Sequence, residues 1–207
     1  MTAWRDADYL SNPQTVSPFN AAQVNPASYD LRLSGMLRRV HVLWRHLSDI
    51  DLRRMVTGAY LPKYADGYLS DDEWRAYNDG GCKIEALPRW GEVETFERAC
   101  IMPGEFILCS SLETVTVPDD CVAMLFSKSS TGRRGLEHLH AGLGDPGFVG
   151  TWTWELHNVA LWPIELVAGQ RLMQHVFVRL DTAADVTYAQ TGRYQGQQEP
   201  TPERAAR

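Results

Sequence analysis

An all-β fold, a sandwich or barrel of short strands, is what this sequence predicts, and three observations carry the prediction. Short apolar or alternating runs follow one another from residue 105 onward, turn residues punctuate them, and 207 residues suffice for one buried core but not comfortably for two. "EFILC" follows Pro103-Gly104, and "ETVTV" stops at "PDD". "CVAMLF" runs into a basic stretch, "TWTWELH" follows "GDPGFVG", and "QRLMQHVFVRL" follows Ala168-Gly169. Runs of this length bounded by Gly, Pro and Asp suit strands better than helices.

The middle of the chain reads differently. Ser70 with Glu73 three residues later forms a capping box, and "SDDEWRAYNDGG" ends on glycines, so a helix is expected there. "LSDIDLRRMVTGAYL" has apolar residues at helical spacing and predicts a second. Residues 44–98 are therefore expected to be a partly helical insertion in a single domain spanning 1–207. The segment from 185 onward is polar, with no apolar face to bury, and is expected to be a flexible tail unless it covers something.

Charge and cysteine usage bound the function. A net charge of −6 repels nucleic acid and anionic lipid, so neither is an expected partner, and any anion must be held by a local cluster. Cys82, Cys100, Cys109 and Cys121 lie far apart without a CxxC pair, which points away from a disulfide framework or a zinc site and toward small buried apolar side chains. The polar opening "MTAWRDADYL" and the absence of any apolar run near 20 residues make a cytoplasmic protein the expectation.

Two stretches carry chemistry. "SKSSTGRRG", residues 127–135, is either a helix start capped by Ser129 or Ser130 with its cations in solvent, or a polyphosphate cradle of hydroxyls, backbone N–H groups and cations. It is not a Walker loop, which needs a different glycine and lysine spacing. In "TWTWELH", alternation puts Thr151, Thr153, Glu155 and His157 on one face and Trp152, Trp154 and Leu156 on the other. Glu155 is then either an exposed strand carboxylate or a general base at a fixed, water-accessible place.

Six motifs in order, "NPASYDLRL" (25–33), "PGEFILCSSLETVTVPDDCVA" (103–123), "KSSTGRRGL" (128–136), "AGLGDPGFVG" (141–150), "WELHN" (154–158) and "RYQGQ" (193–197), resemble the dCTP deaminase branch of the dUTPase superfamily. The resemblance covers most of residues 15–203 and is weakest across 44–98. It implies a distorted jelly roll or dUTPase-like β-barrel with a C-terminal lid, assembled as a homotrimer with nucleotide sites between subunits. It also implies Mg²⁺ accompanying the triphosphate, and no zinc. By similarity, Lys128, Ser129 and Ser130 bind phosphates, Ser129 also counts among the catalytic residues, and Arg133 holds the water and the glutamate. Glu155 stands where deaminases carry their catalytic glutamate. Asp145 matches an aspartate that orients a water for triphosphate hydrolysis, and Phe148 matches an aromatic platform under the deoxyribose. Ala141 falls in the base-binding loop, and Gln174, Arg193, Tyr194 and Gln197 resemble triphosphate and lid residues.

The implied reaction is hydrolytic deamination of dCTP to dUTP and ammonia, with Gln174 and "RYQGQ" favouring a bifunctional enzyme that continues to dUMP and pyrophosphate. The zinc signature of other nucleobase deaminases, H-x-E with P-C-x-x-C, is absent from the sequence, so Glu155 itself is expected to take the proton from water. The chain departs from the family in the base-binding loop. "GLEHLHAGLGD" is one residue short, Gly144 stands for a typical isoleucine, and Thr131 and Arg134 stand for common leucines. His138 and His140 are assigned only a contact to the base, and a 5-modified deoxycytidine nucleotide stays open as substrate. The competing functions are a dUTPase without deaminase activity and a catalytically silent nucleotide-binding trimer acting as a sensor.

Overall fold

The computed structural model of the protein describes residues 1–41, 89–139 and 141–204. They fall into two units, one of Met1–Arg39 with Glu92–Arg207 and one of Val40–Gly91. Both helices expected within 44–98 lie outside the described residues. What is described near the end of that insertion is strand: β4 (Arg89–Trp90) pairs with Val40 and His41, and β5 (Glu94–Thr95) pairs with Met36 and Leu37.

The larger unit is built on strands β1 (Thr2–Ala3), β2 (Val16–Ser17), β3 (Tyr29–His41), β6 (Arg98–Ile101), β7 (Phe106–Thr116), β8 (Cys121–Ser127), β9 (Leu136–His138), β10 (Leu143–Gly144), β11 (Val149–Asn158), β12 (Ile164–Val167) and β13 (Arg171–Arg179). Short helices α1 (Asp6–Ser11), α2 (Ser129–Arg133) and α3 (Tyr188–Thr191) decorate them. The principal sheet runs β10-β8-β13-β3-β7-β11-β9, while β12 and β6 pair separately. Every pairing is antiparallel. The all-β expectation therefore holds.

Strand β3 makes the sheet bend. Its first residues, Tyr29–Arg32, pair with β13, whereas Leu33–Arg39 pair with β7. The register shifts between Leu33 and Leu37, around Gly35, whose φ is +82° and where a Cβ would come within 2.8 Å of the Phe96 carbonyl oxygen. A strand that changes partners at such a bulge turns one sheet into two facing halves, and the apolar residues enclosed between them form the core. Leu31, Leu33 and Leu37 from β3 meet Ile107, Cys109, Trp154, Leu156 and Phe177 there. Cys121 is also buried, and Cys100 is exposed, a correction to the expectation that the cysteines are all core residues.

"EFILC" and "ETVTV" are not separate strands. They fuse into β7 because the intervening "SSL" is accommodated as a bulge: the Ser111 hydroxyl donates to the Glu113 carbonyl (2.7 Å) and accepts from the Trp152 N–H (2.8 Å). Those bonds replace the ladder bonds that the bulge interrupts.

At one end of the core His175 is fully buried, its ring 4.7 Å from that of Phe177 and stacked 5.9 Å from that of Tyr9. Neither ring nitrogen has a hydrogen-bond partner among the described residues, and burial drives the imidazole pKa down to about 3. The unfolded chain binds a proton here below about 6.5, and the folded chain does not until about 3, so stability must fall as pH drops through that window. We expect His175→Phe to flatten this loss, which at about 1.4 kcal/mol per unit amounts to several kcal/mol near pH 4. Thermal melts of both proteins between pH 7 and 4 check it; parallel curves would rule it out.

Candidate active site

Glu155 sits in the middle of β11, opposite Leu108 of β7, and the expected alternation is realised: Trp152, Trp154 and Leu156 are buried, while Thr153, Glu155 and His157 are half-buried on the other face. Thr151 is the exception and is buried, because Gln197 of the tail covers it. The Glu155 side chain is 26% exposed, so water reaches it, and its Oε2 lies 3.1 Å from Nε2 of His138. His138 is on β9, next to Leu156 in the ladder, and its side chain is only 3% exposed. These two atoms face each other with no well-directed hydrogen bond and, among the described residues, no other partner. A carboxylate opposite a buried imidazole, open to solvent at its other oxygen, can accept a proton from water and is oriented while doing so.

The basic stretch packs against β9. Lys128 is the N-cap of α2, and neither Ser129 nor Ser130 caps it, which corrects the capping expectation. The helix is anchored instead by Thr131, whose hydroxyl donates to the Leu172 carbonyl (2.7 Å), which also accepts from the Lys128 N–H. The hydroxyl gives Thr131 a structural role that an apolar side chain could not fill. Ser129, Ser130 and Arg133 consequently face solvent. Arg134 donates to the Glu165 carbonyl at 2.7 Å, and at Gly135 (φ +85°) the chain turns from α2 into β9.

Beneath α2 lies a charged network that sequence reasoning missed. Asp30, its side chain 3% exposed, receives the Lys128 ammonium on Oδ1 together with the Asn25 amide (2.9 Å), and faces Nη1 of Arg171 from Oδ2 at 3.5 Å. Glu113, fully buried, pairs with Arg32 (Nε to Oε1, 2.6 Å) and accepts the Arg32 backbone N–H and the Gln23 amide. Gln174 is directly across the ladder from Asp30, and its Oε1 accepts from the Ser28 hydroxyl at 3.4 Å. The available signal was an acid group inside an otherwise apolar alternation, in "YDLRL" and "LETV".

The remaining candidates gather at the other end of β11. Asp145 is exposed in the turn before that strand, and Phe148 is 6% exposed, packed on Trp152 and Tyr188. The tail is stitched to this end. Gln197 exchanges hydrogen bonds with the Thr151 backbone in both directions, Gln195 bonds to Val149 and Gly147, and Arg38 donates to the Pro200 carbonyl. Tyr194 lies under the Arg204 guanidinium, and Arg193 is exposed. Ala141 falls elsewhere, where residues 142–144 run along β8. Gly144 has a steric reason: a Cβ there would lie 2.7 Å from the Trp152 ring. His140 lies outside the described residues.

Six or seven residues of strand, about 20 Å, separate Glu155 from Phe148. The candidate residues of one chain thus fall into two groups, Lys128 to Arg133 with Glu155 toward β9, and Asp145 with Phe148 and the tail at the other end of β11. Among the described residues no three His, Cys, Asp or Glu side chains gather to hold a metal, and no helix is long and apolar enough to cross a membrane.

Comparison with known proteins gives this arrangement its context. The chain is 38% identical over 203 residues to a "dCTP deaminase, dUMP-forming" of Pseudarthrobacter chlorophenolicus, covering 96% of this chain and 91% of that one. It is 37% identical to the protein of the same name from Beutenbergia cavernae, covering 96% and 90%. The fold resembles a crystal structure of 2′-deoxycytidine 5′-triphosphate deaminase from Agrobacterium tumefaciens, with a TM-score of 0.56 at 19% identity, covering 85% of this chain and 48% of that chain. The family described as dCTP deaminase-like matches residues 5–180, and to that family this chain belongs.

Proposed function

We propose that this protein hydrolyses dCTP to dUTP and ammonia and then cleaves the product to dUMP and pyrophosphate. The observation that carries the reading is Glu155, half-buried on β11 against His138, in a chain whose relatives across nearly their whole length are named for forming dUMP from dCTP. The Glu155 carboxylate takes a proton from a water molecule as that water attacks C4 of cytosine. It delivers that proton to N3, where it stays, then takes the remaining hydroxyl proton of the tetrahedral intermediate and passes it to the amino group, so that C4 becomes a carbonyl, one water is consumed and one ammonia leaves. His138 fixes the carboxylate oxygen it faces, and Arg133 steadies the water from the solvent side.

Lys128, Ser129 and Ser130 bind the triphosphate, and Asp145 orients the second water, which displaces pyrophosphate from the α-phosphorus. Phe148 takes the deoxyribose, and its contact with Tyr188 makes movement of α3 part of that role. Gln174, Arg193, Tyr194 and Gln197 complete the triphosphate enclosure, and Ala141 borders the base. The two groups of residues are half-sites that join when a second copy of the chain supplies one of them, so a homotrimer with shared sites is the expected assembly. Magnesium fits this site as an ion carried by the triphosphate: Asp30 and Glu113 are engaged by cationic side chains, and a chelated ion needs few protein ligands. When bound it supplies charge neutralisation of the phosphates.

The test is to incubate the pure protein with dCTP or dUTP and Mg²⁺ and to resolve ammonia, dUTP, dUMP and pyrophosphate by chromatography. Ammonia with dUMP from dCTP is the expected result. Accumulating dUTP would remove the second step, pyrophosphate from dUTP alone would mean a dUTPase, and binding without product would mean a sensor.

A further inference from the structure

We propose that Arg171 is a phosphate-binding residue of this site, held ready together with Lys128 by the buried carboxylate of Asp30. The inference rests on the nucleotide reading above and adds a residue that the sequence motifs do not contain. Lys128 and Arg171 approach opposite oxygens of one carboxylate, and that carboxylate is 3% exposed. The neighbouring cation, Arg32, is already matched by Glu113. Two cations sharing one anion leave a surplus positive charge at the surface next to α2.

The two partners of Asp30 are not equally committed. Lys128 is mostly buried and tightly engaged, whereas the Arg171 side chain is 52% exposed and reaches Asp30 at 3.5 Å and the Ala22 carbonyl at 3.3 Å, both at the long end of hydrogen bonding. Those contacts aim the guanidinium without saturating its five donors. Arg171 also adjoins Leu172, whose carbonyl anchors α2 through Lys128 and Thr131, so the guanidinium is tied by backbone to the segment carrying the unpartnered hydroxyls of Ser129 and Ser130. An arginine so placed suits a phosphate oxygen pair, which it can bind in bidentate fashion. Asp30 is the positioning residue. It pre-pays the ordering of both cations and keeps them from repelling each other before the anion arrives.

The experiment measures binding of inorganic tripolyphosphate by calorimetry, and dCTP turnover, in the full-length protein. Arg171→Gln should raise the tripolyphosphate Kd about tenfold, as loss of one charge-assisted contact does. The dCTP KM should rise in step while kcat stays within about twofold. Arg171→Lys should recover most of the affinity. In an Asp30→Asn background the Arg171→Gln effect should shrink below about threefold, a coupling that mere structural support would not produce. If the wild-type protein binds tripolyphosphate and Arg171→Gln binds it equally well, the inference is overturned, and the same holds if the wild type does not bind it. If tripolyphosphate binding depends on Arg171 but dCTP is not turned over, the inference stands and the proposed reaction falls. Should Asp30→Asn fail to fold, the Arg171 variants alone decide.

Discussion

Replacing Glu155 by glutamine should stop ammonia release from dCTP while leaving the nucleotide Kd within about threefold. The substitution keeps shape and removes only the ability to accept a proton, and general-base catalysis by a positioned side chain contributes about 10²–10⁴-fold. Because Glu155 lies on a strand paired on both sides, with β7 at Leu108 and β9 beside it, its backbone has no reason to move. The melting temperature should therefore stay close to that of the wild type. Ammonia measured by coupled assay, with binding measured by calorimetry, separates the two effects. Turnover within tenfold of wild type would remove Glu155 as the base.

The largest stability loss is expected at a charge rather than at an aromatic. Glu113→Ala removes a fully buried carboxylate that pairs with Arg32, whose side chain is 25% exposed, and one of the two acceptors of the Gln23 amide. Breaking one side of a buried pair costs about 3–5 kcal/mol, because the remaining charge has lost its counter-ion. For a chain of this size that corresponds to a fall in Tm of about 10 °C. Calorimetric melts test it, and the double variant Glu113→Met with Arg32→Met should recover much of the loss. A single variant within about 1 kcal/mol of wild type would mean that solvent already screens Arg32.

Much of the fold was legible because strand alternation is local. "TWTWELH", "CVAMLF" and "QRLMQHVFVRL" became β11, β8 and β13 almost residue for residue. β3 lies outside the run of strands expected from residue 105 onward, although Tyr29, Leu31 and Leu33 alternate as buried residues with Asp30 and Arg32 between them. Joining of "EFILC" to "ETVTV" escaped the sequence because the bulge depends on Ser111 meeting Trp152, a contact across the sheet. Of the site, the residue types around Glu155 and Ser129 were readable from order and spacing. That Lys128 turns onto Asp30, 98 positions away, was not.

The sequence by itself determined the strand content, the polar face that carries Glu155 and the basic stretch before β9, since each depends on neighbours within a few residues. Tertiary structure alone decided which carboxylates are spent on holding cations and which one meets water. It also put His138 opposite Glu155, and set the tail against the far end of the same strand. Those outcomes depend on burial and on distances between residues remote in the chain, where the electrostatic cost of an unpaired charge, not local propensity, selects the arrangement.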